Sequence, residues 1–177
     1  MFHLRTLLLP LIALLLSANA LASDYKTLDW EALIPPGFDL AAQEDAVINQ
    51  YTQEELMEDE ALSMRLDQEL QALADAAPVV DQLNKQKVRV PGFVVPLELD
   101  ENRVRTFLLV PYYGACIHMP PPPANQVILV SVDEPFVLQS MFDPVWVQGE
   151  LAVGTKITHL GTTGYQMSAD GVTPYDA

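Results

Sequence analysis

Apolar positions follow two different periods along this chain, and the change falls near Pro78. Upstream, Leu62, Leu66, Leu70, Leu73 and Ala77 recur at steps of four and three, which places them on one face of a helix. Thr52 and Glu55 precede the stripe as a capping box: the Thr hydroxyl accepts from the Glu55 amide while the Glu55 carboxylate reaches back to the cap. Tyr51 and Leu56 stand at hydrophobic-staple spacing around it. Glu54, Glu58, Asp59, Glu60, Asp67 and Glu69 supply much of the charge elsewhere, and Pro78 ends the helix. A short helical pattern covers residues 41–50, after an opening Leu28–Ile34 stretch and a turn at Pro35-Pro36-Gly37. The stripe is read as a helix packed on its own domain, the commoner use of such a face.

Downstream the period shortens to two. Val88, Val90, Phe93, Val95 and Leu97 mark a strand bent or bulged at Gly92. Asp100-Glu101-Asn102 forms a turn into a second strand over 103–110. Gln126–Val132 is a third, closed by a turn at Asp133-Glu134-Pro135. Phe136–Leu138 is a short fourth, and Val145–Val153 another around Gly149. The last twenty residues, with Gly161, Gly164 and Tyr165, indicate no definite element. Several short strands with turns between them predict a small antiparallel barrel, OB-like (of the oligonucleotide/oligosaccharide-binding type). The fold class expected is therefore mainly β with an N-terminal α-helical layer, α+β.

The N-terminus changes where this domain is expected to work. Arg5, an apolar run from Leu7 to Leu16 and the exit Ala18-Asn19-Ala20-Leu21-Ala22 make the three-part pattern of a secretory signal peptide. The run is too short to span a bilayer, which takes roughly 20 residues. Cleavage after Ala22, with Ala20 the near alternative, leaves no stable membrane insertion. The expected organisation is a signal peptide over 1–22, an acidic helical region over 23–78 and a β-barrel-like domain over 79–177. Losing Arg5 from the 9 basic residues leaves 8 against 24 acidic ones, a net charge of −16. That field repels polyanions, so no nucleic acid is expected as partner.

Export also makes the lone cysteine conspicuous. Cys116 has no intramolecular disulfide partner in a compartment that usually pairs cysteines. It lies in Tyr112-Tyr113-Gly114-Ala115-Cys116-Ile117-His118-Met119, followed by Pro120 to Pro123, a run that forces polyproline II geometry. In an extended chain Cys116 and His118 project on one face, their Cα atoms roughly 6.5–7 Å apart. A metal sits about 2.3 Å from a thiolate and about 2.0–2.1 Å from an imidazole, so both side chains can close on one ion, with zinc or copper suiting the S/N pair. His159, Glu150, Asp143, Asp133 and Met119 are the candidates to complete the set. Two other readings stand beside this one: a buried structural cysteine, and a Cys-His nucleophile, for which no orienting third group is evident. No complete catalytic constellation is present, and a non-enzymatic role is expected. Asn125 and Gln126 are read as fixing the loop through backbone hydrogen bonds. Trp30, Tyr112, Tyr113 and Trp146 are read as core aromatics, and Met141 and Met167 as core gap-fillers.

Val90-Pro91-Gly92-Phe93-Val94-Val95-Pro96-Leu97, the stretch Phe107–His118, the four prolines with Asn125-Gln126, and Val145–Leu151 resemble the secreted bacterial domain-of-unknown-function family 3299. Trp30-Glu31-Ala32-Leu33-Ile34-Pro35 is similar to its start. The resemblance implies a periplasmic protein of a Gram-negative bacterium, an accessory or metal-handling role, and an envelope transporter component as partner. Members of lipoprotein form carry a lipidation cysteine that this chain lacks. The implied function is a periplasmic accessory protein with Cys116 and His118 as metal ligands; the competing one is a non-metal protein-interaction module of the cell envelope. Intact mass measurement of protein recovered from the periplasm is expected to place Ser23 first, and recovery of the full chain in the membrane fraction would contradict the export reading.

Overall fold

Alternation along β2, Gln86–Pro96, buries Val88, Val90 and Val94 toward one core and leaves Lys87 and Arg89 outside. This structure, a computed structural model, describes residues 25–115 and 122–175. From Gln86 to Gly92, β2 runs antiparallel to β6, Val145–Thr158; from Phe93 to Pro96 it runs antiparallel to β4, Arg103–Val110. β4 pairs antiparallel with β5, Ile128–Val137, which pairs parallel with β7, Gly161–Pro174. β7 returns antiparallel to β6. The pairings thus make a circuit through five strands, with short β1 (Lys26–Thr27) parallel on β2 and β3 (Leu99–Asp100) on β4. The protein is mainly β with a few helices, α+β. The sheet is mixed, which corrects the antiparallel expectation. β6 itself serves as the crossover that a parallel β5–β7 pair needs.

Two further expectations change. Asp133-Glu134-Pro135 is no turn; β5 runs through it as a wide bulge. Ser131 stands opposite Thr106 and Phe136 opposite Val104, so Val132–Pro135 face Arg105 alone. The extra carbonyls find donors in side chains: the Arg105 guanidinium donates to the Asp133 carbonyl, and Arg103 donates to Pro135 at 3.1 Å. The last twenty residues, left without an element by their composition, form β7. Its Gly164 lies so close to the loop before β5 that a Cβ would stand 2.8 Å from the Ala124 carbonyl oxygen.

The helices are α1 (Leu40–Ile48), α2 (Gln53–Glu58) and α3 (Glu60–Asp75). The capping box forms as the spacing predicts, and its hydrogen bonds to Thr52 hold the exposed Glu55 carboxyl below its usual range. The pattern suggested one helix from Thr52 onward. It breaks at Asp59, whose carboxylate accepts from the amides of Ala61 and Leu62 and starts α3 afresh. Leu66 and Ala77 of the apolar stripe are buried, Leu62, Leu70 and Leu73 are half-buried, and Ala74 beside them is buried; α1 and α2 lie on α3, and α3 touches β7. No described helix is long and apolar enough to cross a membrane.

Tyr165, fully buried on β7, ties these parts together. Its hydroxyl donates to the Leu33 carbonyl at 2.8 Å and accepts from the Val80 amide at 2.7 Å. Burial raises its pKa above the usual value despite the Val80 bond. Tyr165→Phe removes both bonds and is expected to lower unfolding free energy by about 1–3 kcal/mol, because a buried carbonyl and amide lose their partner. Above about pH 10 the unfolded chain ionises this tyrosine first, so its contribution to stability declines with rising pH. Denaturant melts across pH 8–11 should show that decline in the parent and a shallower one in Tyr165→Phe.

Candidate functional site

The run Phe107-Leu108-Leu109-Val110 is buried without alternation because both faces of β4 are covered there. Phe107 and Leu109 join the main core, with Ile128, Val130, Val147 and Tyr165. Leu108 and Val110 face outward into a second cluster with Val95, Ala115 and Val127, closed by Phe93, Leu97, Leu129 and Leu160. That cluster exists because the described ends of the connection from β4 to β5, at Ala115 and Val127, pack on the outside of the sheet. The connection carries the Cys-x-His segment.

Its described parts are firmly placed. Ala115 and Pro122 are both buried, and Pro123 has the extended backbone (φ −59°, ψ 151°) that a proline run imposes. Asn125, itself buried, donates to the Pro78 carbonyl at 2.9 Å, and Gln126 donates to the Trp30 carbonyl at 3.0 Å. The reading of these two residues as loop fasteners therefore holds. The Oδ1 atom of Asn125 and the hydroxyl of Thr163 are buried without a partner. Cys116, His118 and Met119 themselves lie outside the described residues.

The other candidate ligands are dispersed. His159 is exposed at the β6–β7 hairpin, Glu150 points out from β6, Asp133 stands on the β5 bulge and Asp143 lies in the loop before β6. Among the described residues no three His, Cys, Asp or Glu side chains come together as a metal group.

What the structure does gather beside this segment is aromatic. Tyr112 and Tyr113 are 44% and 48% exposed, which overturns their reading as core residues. Tyr113 packs against Phe142 at 4.8 Å between ring centroids and against Phe93 at 6.3 Å. Phe142 is 65% exposed, and Met141 beside it is also open to solvent and fills no core gap. The reason is local: Pro111 ends β4 and the Tyr112–Gly114 turn lifts both rings off the sheet before Ala115 re-enters it. Trp146 likewise lies on the outer face, half-buried between the Arg89 guanidinium at 3.9 Å and Tyr175 at 5.1 Å. Trp30 is half-buried and donates its indole N–H to the Pro91 carbonyl at 2.7 Å. Met167 is buried as expected. Phe142 carried no signal in the sequence, since no period marks the 138–144 loop.

The family model described as "Protein of unknown function (DUF3299)" matches residues 30–174. The chain belongs to the DUF3299 family. Among solved structures, it is similar to a DUF3299 family protein from Pseudomonas aeruginosa PAO1, with 33% sequence identity and a TM-score of 0.63. That likeness covers 86% of this chain and 97% of the other. No curated protein matches. The DUF3299 match takes in the Trp30 turn, the Cys-x-His segment and all of β7.

Proposed function

We propose that this DUF3299 member is an exported, periplasmic accessory protein that works by binding a partner rather than by catalysis. Its scaffold, on this reading, is a small OB-like barrel made by the circuit of five strand pairings. Its working surface is the aromatic platform of Tyr112, Tyr113 and Phe142, at the start of the connection whose sequence carries Cys116 and His118. The observation that carries this is the exposure of three large rings, Tyr113 and Phe142 among them in direct contact, next to a base that is buried. Clustered exposed aromatics are costly in water and typical of interface anchors, each giving about 1.5–3 kcal/mol when fully covered. The net charge of −15 argues against the nucleic-acid role common among OB-like folds. An envelope transporter component is the partner we favour. A photo-crosslinking residue placed at Tyr112 or at Phe142 in living cells is expected to give the same discrete adduct. The same residue at Lys156 should give none, and a Tyr113→Ala change should abolish the adduct; silence at both platform positions rejects this reading.

A second reading is favoured by one specific observation. Ala115 and Pro122 are buried on either side of the segment, and the sequence between them supplies a thiol and an imidazole, the S/N pair that suits zinc or copper. Further ligands would come from Met119, solvent or the partner. Protein purified from the periplasm is then expected to carry near-stoichiometric zinc or copper by mass spectrometry, lost in both Cys116→Ser and His118→Ala. Metal content unchanged in the two variants removes this reading and leaves the platform standing.

A further inference from the structure

β5 and β7 part company halfway along. Their parallel pairing ends at Val132↔Ala169; β5 then swings out through its bulge, while β7 continues to Pro174 paired with β6 only. The arginines of β4 fix this divergence, because Arg105 and Arg103 draw the Asp133 and Pro135 carbonyls to their own side. Between the strands lie two clefts, about 270 and about 360 Å³, that share Phe136 and Val172 and so form one groove along β7. Phe136, Leu138, Val145 and Val172 line one end; Asp133, Glu134 and Asp170 line the other. Over Gly171–Thr173, alternate backbone N–H and C=O groups face away from β6 into this groove, with no β5 ladder to meet them. An open edge of this kind is a template for a further strand.

We propose that this seam is a second binding site, whose occupant is an extended peptide segment of another protein that adds a strand to β7. Main-chain hydrogen bonds to Gly171–Thr173 hold the segment. An apolar side chain enters between Phe136, Leu138 and Val145, and a Lys or Arg residue lies against Asp133 and Glu134. The basic requirement follows from charge: the acidic residues Asp133, Glu134 and Asp170 line that end, Asp170 with its carboxylate accepting from the Tyr25 hydroxyl at 2.7 Å, while the nearby Arg103 and Arg105 are engaged with β5 carbonyls and do not line the cleft. The seam is distinct from the aromatic platform, although the 138–144 loop borders both, with Phe142 on the platform and Leu138 in the seam.

The test uses the mature chain and three blocked hexapeptides: alternating Lys and Val, alternating Glu and Val, and the Lys/Val peptide with alternate amides N-methylated. Amide chemical shifts of Gly171, Val172 and Thr173 are followed by NMR. The Lys/Val peptide is expected to move these three resonances in a saturable way. Binding should weaken about tenfold for the Glu/Val peptide, and similarly in an Asp133→Lys, Glu134→Lys double variant, as lost charge complementarity does at interfaces. The N-methylated peptide should leave the three amides unmoved. Equal binding of the Glu/Val peptide, equal binding of the N-methylated one, or shifts confined to other residues would overturn the proposal. So would concentration-dependent shifts of the same amides without peptide, which would make the occupant a second copy of this chain. None of these outcomes bears on the platform, whose crosslinks are read at Tyr112 and Phe142.

Discussion

One strand has to serve two neighbours, and a glycine allows it. β2 is paired with β6 up to Gly92 and with β4 from Phe93 onward, so the circuit of pairings closes at that one step. At the step the chains approach so closely that a Cβ on Gly92 would stand 2.8 Å from the Val110 carbonyl oxygen and 2.9 Å from the Leu109 side chain. Nothing larger than hydrogen fits there without moving backbone. Pro91, which can donate no ladder bond, precedes it where the strand leaves one partner for the other, and its carbonyl is taken by the Trp30 indole.

The features read as functional lie downstream of that step. Holding the end of β4 against Phe93–Pro96 fixes Val110, and Val110 with Leu108 is the floor on which Ala115 and Val127 pack. The Cys-x-His segment leaves that floor at Ala115. Tyr113 reaches back to Phe93, the first β2 residue beyond the step, so the platform is attached to the same corner. On the far side of the circuit, β5 must pair with both β4 and β7, and it releases the second at Val132. The seam is the consequence of that release.

Much of the local structure was legible in residue spacing. The helical stripe and the capping box depend on near neighbours in sequence; the bend at Pro91-Gly92 and the fastening role of Asn125 and Gln126 follow from residue type, although the fastening partners Pro78 and Trp30 are distant. Most of what escaped depended on distant neighbours. Asp133-Glu134-Pro135 has the composition of a turn, and only arginines on another strand make it a bulge. Asp59 escaped although its partners, the amides of Ala61 and Leu62, are local, because it sits in a run of acids and looks like surface charge. β7 was hidden because Gly164, which breaks the alternation, is there for its close approach to the Ala124 carbonyl. The platform was missed for a different reason: aromatic residues usually fill cores, and nothing local tells Tyr113 from Tyr165. Cys116 and His118, the sharpest signal in the sequence, lie outside the described residues.

Hydrogen exchange on Gly92→Ala tests the dependence of the site on the β2 corner most directly, with Gly171→Ala as a control whose added Cβ meets only ordinary contacts. Amides of Leu108–Val110 should exchange much faster in Gly92→Ala, with those of Val147–Leu151 still protected by their pairing to the first half of β2. Tyr113 fluorescence should report a more exposed ring in the same variant. Unchanged protection at Leu108–Val110 in a folded Gly92→Ala protein would contradict the claim that this one close contact fixes the end of β4 and the surface built on it.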